Sequence, residues 1–167
     1  TMDEIAKHIH KAKGALYYYY NSKEALYNEV LKRELASVKD QLAVISEEDS
    51  DSLVMMKKYV LTRLKLLYKA KTYHETLKAD FFEKYYFVKD VRTDFENFEH
   101  EQLVKILNKG KDDGYLDVKD IDSTVSVLLM ILNGIEIPFF LQNKYPEYEN
   151  TLQDLSNMLV DSLKSQK

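Results

Sequence analysis

The chain has 167 residues, with 24 Lys and Arg against 28 Asp and Glu, for a formal net charge of −4. It contains no cysteine, which excludes disulfides and thiolate chemistry. Only four Gly and two Pro interrupt a 45% hydrophobic composition with helical periodicity, so the expected class is all-α with a substantial core.

Thr1 can cap a first helix whose opening turn carries Asp3 and Glu4, acids suited to the positive end of the helix dipole. Ile5, Ala6 and Ile9 supply its apolar side, and His10-Lys11 reads as a turn. A second helix is expected from Ala12 to Tyr20. Ala12, Leu16 and Tyr20 fall at i, i+4 and i+8 and point inward together. Lys13, Gly14, Tyr17 and Tyr18 then point outward: a cation, a bare backbone position and two rings with hydroxyl tips. Such a face suits a DNA groove, because lysine neutralises phosphate, glycine permits close approach and tyrosine donates to phosphate oxygens.

The acidic total does not suggest a nucleic-acid binder, but its distribution does. Residues 1–34 hold 6 basic and 5 acidic groups, whereas the remainder holds 18 and 23. From Ile5 to Lys23 there are four lysines, two histidines and no acid. A locally basic head on an acidic body aims its field at DNA. Without the two-helix pattern, the same lysines read as an ordinary solvated face.

Ser22 is expected to cap a long helix to about Ile45, with Leu31, Leu35, Val38, Leu42 and Ile45 as one seam. The polar run Ser46–Asp51 links it to a helix from about Ser52 to Lys71, with Met56, Tyr59, Val60, Leu64 and Leu67 inward. Thr72 is a candidate cap for a shorter helix toward Phe82. Seven aromatic residues then fall between 81 and 98. Another helix is expected from about Val91 to Lys111, with Gly114 at its left-handed end. Asp120 or Asp122 starts the next, which runs to about Asn143 with a kink or break at Pro138. Pro146 reads as the first-turn proline of a last helix striped by Tyr148, Leu152, Leu155, Leu159 and Leu163. The apolar stretch Val125–Leu141 contains Asn133, Gly134, Glu136 and Pro138, which makes it a poor membrane span and a good buried helix. No signal peptide is evident.

His74-Glu75 and His100-Glu101 lack a second histidine at i+4, so no metal site is expected. No glycine-rich phosphate loop, nucleophile elbow or histidine-centred triad is readable, so neither an enzyme nor a cofactor is expected.

Thr1-Met2-Asp3-Glu4-Ile5-Ala6-Lys7, then Lys13 through Tyr20, then Ser22-Lys23-Glu24-Ala25-Leu26, resembles the DNA-binding domain of tetracycline-repressor-like transcription regulators. That family's pattern is roughly T-x-x-x-I-A-x-x-A-G-V-S-x-G-T-L-Y-x-[YH]-F-x-S-K-E-x-L, and the match is gap-free over residues 1–26. Several positions depart from it, four of them with consequences for the head. His10 replaces the turn glycine, Ala12 the capping serine, Ala15 a threonine and Tyr20 a phenylalanine. Losing the serine cap costs about 0.5–2 kcal/mol.

The resemblance implies a helix-turn-helix head with connecting helix over residues 1–45. It implies a ligand-binding and dimerisation body over 46–167. The family has a further amphipathic helix before the position of Thr1, so the chain is expected to start inside the head. The implied DNA-contacting residues are Thr1, Lys11, Ala12, Lys13, Gly14, Ala15, Tyr17, Tyr18, Tyr19 and Lys23. The implied partners are an inverted-repeat operator, a second copy packed through the last two long helices, and a small-molecule effector, in a cytoplasmic protein without a membrane anchor. Candidate effector-lining residues are Tyr59, His74, Phe82, Tyr85, Tyr86, Phe98, Asn133, Glu136 and Phe140. Asn133 and Glu136 share one face of an apolar helix, so a ligand with a positive or donor group near Glu136 is one expectation. Exposure of Glu136, or a lysine partner, is the other. The aromatic residues are equally readable as core. The competing function is a helical binding module that does not read DNA, which His10, Ala12 and Ala15 keep open.

Overall fold

A computed structural model describes residues 1–78 and 86–165. The first element, α1 (Met2–His8), opens on a reciprocal cap: the Thr1 hydroxyl accepts from the Glu4 amide while the Glu4 carboxylate returns to the Thr1 amino group. α1 ends at Ile9, and His10 takes φ 54°, the left-handed turn that glycine would adopt without strain. α2 follows as Lys13–Tyr19. Met2, Ala6 and Leu16 form a small core, with Ile5, Tyr20 and Leu26 packed on it.

Two expectations change here. Ala12 is not an inward helical residue but the extended N-cap of α2, exposed and without a side-chain cap bond. Its φ and ψ of −66° and 140° precede the first helical turn, so only Leu16 and Tyr20 remain of the expected face. Ile9 is 46% exposed, and Met2 takes the buried place beside Ala6. Ile5, Ile9, Leu26 and Val30 line an open cleft of about 650 Å3 between head and body.

α3 (Lys23–Ser46) is capped by Ser22, whose Oγ accepts from the Ala25 amide, and buries the whole expected seam from Leu31 to Ile45. α4 (Ser52–Lys69) is capped by Asp51. α5 (Lys71–Glu75) begins directly after Ala70 and is not capped by Thr72. The amides of Thr72 and Tyr73 instead donate to the Glu34 carboxylate of α3, at 3.2 and 2.8 Å. A 3-10 turn at Tyr86–Val88 leads into α6 (Lys89–Asp112), and Gly114 takes φ 75° just beyond it. α3, α4 and α6 pack on one another and enclose the main core, with α7 (Ile121–Gly134) against α6.

Asp120 caps α7 through the Ser123 amide. The expected long helix to Asn143 stops at Gly134 and gives way to a wide turn at Ile137–Leu141 with Pro138 at its start. The last helix is divided into α8 (Tyr145–Tyr148), a 3-10 turn at Glu149–Thr151 and α9 (Leu152–Asp161), which packs on α4. The tighter 3-10 winding resets the helical phase. Tyr148, which precedes the turn, is therefore exposed, while Leu152 is buried, Leu155, Leu159 and Leu163 are half-buried against the core, and Ser156 and Val160 are buried beside them.

Candidate functional site

The outward face of α2 is open. Tyr17, Tyr18 and Tyr19 are 43%, 82% and 73% exposed, and beyond its chain neighbours and its own helix backbone a Cβ on Gly14 would meet nothing within 4 Å. Tyr18 and Tyr19 meet edge-on at 5.0 Å. Lys13 Nζ lies 2.9 Å from an Asp3 carboxylate oxygen and 5.7 Å from the centre of the Tyr17 ring. The hydrogen bond from Lys13 to Asp3, reinforced by their opposite charges, raises the lysine's pKa and keeps it cationic. Lys11, Ala12, Ala15 and Lys23 are also exposed, with Lys23 in the first turn of α3. The Thr1 hydroxyl is engaged as the α1 cap.

A second cluster lies at the centre of the body. The Arg63 side chain of α4 is fully buried and faces Glu99 of α6, which is 1% exposed. Nε reaches Glu99 Oε1 at 2.5 Å, and Nη2 lies 3.0 Å from Glu99 Oε2. The same Nη2 is 2.8 Å from Asn133 Oδ1 and 2.8 Å from Glu136 Oε1. Tyr73 of α5 donates its hydroxyl to Glu136 Oε2 at 2.9 Å. Four segments of chain thus converge on one guanidinium. Burial alone would lower the Arg63 pKa, but Glu99 and Glu136 outweigh it and hold the pKa well above the usual value. Burial raises the Glu136 pKa despite Arg63. Burial, with Glu136 alongside, pushes the Tyr73 phenol up. Such a cluster persists only when its lone pairs and protons are matched, because two desolvated charges cost several kcal/mol each.

Glu136 corrects the second of the two expectations: it is 1% exposed, and its partners are Arg63 and Tyr73 rather than a lysine. Tyr59 and Asn133 fall beside Arg63. His74 is buried, its ring stacked on Phe140 at 4.9 Å and its Nε2 2.8 Å from the Leu67 carbonyl oxygen. Burial lowers the His74 pKa, partly offset by that carbonyl, so the neutral ring donates there. Phe98 is half-buried under Lys39, and Tyr86 is 77% exposed, so Tyr86 faces away from any enclosed site. Phe82 and Tyr85 lie outside the described residues. The sequence reading missed Arg63, Glu99 and Tyr73. The signal was available for two of them. Arg63 sits in register with Tyr59, Val60 and Leu67 on the inward face of α4, and Glu99 in register with Phe95, Leu103 and Ile106 on α6.

An exposed, tyrosine-rich second helix of a helix-turn-helix, joined by one long helix to an all-helical body, is an arrangement that can present α2 to a DNA groove. Residues 1–30 match the family model described as bacterial regulatory proteins, tetR family, so the head is similar to the DNA-binding module of that family. The whole fold agrees. A transcriptional regulator from Cytophaga hutchinsonii ATCC 33406 superimposes with a TM-score of 0.76 at 21% identity, over 99% of this chain and 88% of that one. The fatty acid degradation regulator FadR from Bacillus halodurans gives 0.80 at 16% identity, over 99% and 86%. FadR from Bacillus subtilis, solved in complex with stearoyl-CoA, gives 0.75 at 16%, over 99% and 87%. At these identities the likeness is one of fold. No curated protein matches the sequence.

Proposed function

We propose that the protein is a dimeric, cytoplasmic transcription regulator, a repressor whose head binds an inverted-repeat operator and is released by a small molecule held in the helical body. The family match over residues 1–30 is the observation that carries this reading. In it, Lys11, Lys13 and Lys23 contact phosphates, and Gly14 lets α2 approach the groove. Tyr17, Tyr18 and Tyr19 meet sugars, phosphates and thymine methyls, while Thr1, Ala12 and Ala15 lie at the interface edge.

Dimerisation has its own support. Val127, Met130, Ile131 and Ile137 are 53%, 71%, 39% and 49% exposed along α7 and its following turn, and Met158 of α9 is 71% exposed. Ile121–Leu141 reaches a mean hydropathy of 1.9 yet is only a third buried. A second copy packed two-fold on α7 and α9 covers this surface and presents two recognition helices about 34–36 Å apart.

Release needs a path from body to head, and the ligand must bind the released state more tightly than the DNA-competent one. Tyr73 supplies contacts at both ends of such a path. Its hydroxyl joins the Arg63 cluster through Glu136, and its amide is held by Glu34 of α3. The Tyr27 hydroxyl of α3 also donates to the Thr72 carbonyl at 2.8 Å. A shift of α5 therefore pulls on the helix that carries the head. That FadR of Bacillus subtilis was solved with stearoyl-CoA supports a hydrophobic effector for a body of this fold.

The test is a salt series of binding to a duplex selected from a random pool. Lys13→Ala, Tyr17→Phe and Lys23→Ala should each weaken binding with unchanged helical content. Each lysine variant should also reduce the log–log salt slope by about 1. Wild-type binding by all three variants would reject this recognition surface.

A further inference from the structure

The Arg63 guanidinium is used unevenly. Its Nε and Nη2 face Glu99, Asn133 and Glu136, so that three acceptors share the two hydrogens of Nη2. Nη1, which also carries two hydrogens, has no partner among the described residues. One turn earlier on the same face of α4, the fully buried Tyr59 has a hydroxyl that is likewise unpartnered. A buried polar group without a hydrogen bond costs about 1–3 kcal/mol, so two of them on one face of one helix call for an explanation. Both are donors, and together they ask for an acceptor.

We infer that Tyr59 and Arg63 form the polar end of the effector site, and that they recognise an uncharged hydrogen-bond acceptor, a carbonyl oxygen on an apolar skeleton. This rests on the proposed effector-binding role of the body. Charge decides between ligand classes. Two carboxylates already face the single cation, so an anionic head group would add a third negative charge to a desolvated cluster. An ammonium group would turn donors toward donors. A ketone, ester or amide oxygen has the two lone pairs that the Tyr59 hydroxyl and Arg63 Nη1 can fill, and changes no charge. The surroundings favour an apolar remainder: Met56, Val60, Leu64 and Leu67 of α4 are buried, and Phe95 meets the Tyr73 ring at 6.1 Å. Burial, followed by the nearby Glu99 charge, raises the Tyr59 pKa and keeps its proton available for donation.

Three probes with matched chains test the inference: 2-decanone, decanoate and decylamine, each titrated into the full chain carrying 15N-labelled arginine. The sequence has three arginines, Arg33, Arg63 and Arg92, so the guanidinium signals are few, and Arg33→Lys and Arg92→Lys assign the third. The expected result is that 2-decanone moves the Arg63 signal while decanoate and decylamine at equal concentration do not. Tyr59→Phe should weaken 2-decanone about fivefold, the loss of one neutral hydrogen bond. Its melting temperature should not fall below the wild-type value, since the hydroxyl has no partner to lose, and its affinity for the selected duplex should stay at the wild-type value. The inference is overturned if 2-decanone leaves the Arg63 signal in place, as a cluster filled by water alone would. It is also overturned if decanoate moves the signal equally, or if Tyr59→Phe binds the ketone unchanged. Failure of the regulatory reading shows separately, as a wild-type chain that selects no duplex.

Discussion

Lys13 in the head and Arg63 in the body each pair with carboxylates, but Lys13 does so in water and Arg63 in the core. The side chains of Lys13 and Asp3 are 57% and 51% exposed, whereas those of Arg63 and Glu99 are at 0% and 1%. A solvated pair is screened and easily exchanged, so Lys13 can trade Asp3 for a DNA phosphate. A desolvated cluster is costly to open and fixes the geometry of everything that touches it. The glycines divide the same way. Gly14 faces open space, while a Cβ on Gly110 would stand 2.6 Å from Ser52 Oγ and 2.7 Å from Leu116 Cγ. The head keeps its chemistry outside a minimal core, and the body keeps its chemistry inside a large one.

Substitutions can break this contrast. The largest effect is expected from Arg63→Met, which leaves Glu99 and Glu136 buried without their cation. It should destabilise the fold by about 3–5 kcal/mol in urea denaturation. A stable Arg63→Met variant would show that the cluster is not desolvated. Gly110→Ala should cost about 1–3 kcal/mol, because Ser52 and Leu116 must shift. Gly14→Ala should instead stabilise slightly, by about 0.5–1 kcal/mol, while weakening operator binding. Losses of stability at both glycines would erase the distinction between head and body.

The pH dependence sharpens it further. Burial holds His74 neutral with a pKa below 6.5 in the folded chain. The unfolded chain therefore takes up this proton first as the medium acidifies. The contribution of His74 is fully present above pH 6.5 and is lost as pH falls through the folded value. His74→Phe should flatten thermal stability against pH below about 6.5. The smallest effect is expected at Asp3→Ala, which removes only an exposed partner and should leave the melting temperature nearly unchanged.

How much was legible in the sequence follows the same division. The head reads from local signals: Thr1 and Ser22 as caps, His10 at the turn, and lysines and tyrosines on one face of α2. The seam of α3 and the left-handed Gly114 were also readable, since each depends on spacing or a single backbone angle. The buried cluster was half-legible. Asn133 and Glu136 stood out as polar residues on an apolar helix, but their partner Arg63 lies 70 and 73 residues away. No local period links such distant positions. The Thr72 cap and the place of Tyr148 in the last helical stripe failed for related reasons. Glu34, on another helix, holds the α5 amides, and a 3-10 turn broke the phase before Leu152.

The central claim is that the exposed face of α2 reads an operator as one of a pair. The most direct measurement is selection of bound duplexes from a random pool at near-physiological salt, followed by sequencing, with the dimer verified in the same preparation. The account predicts enrichment of an inverted repeat with half-sites about one helical turn apart. A well-folded dimer that enriches no sequence would contradict it and leave a helical ligand-binding module in its place.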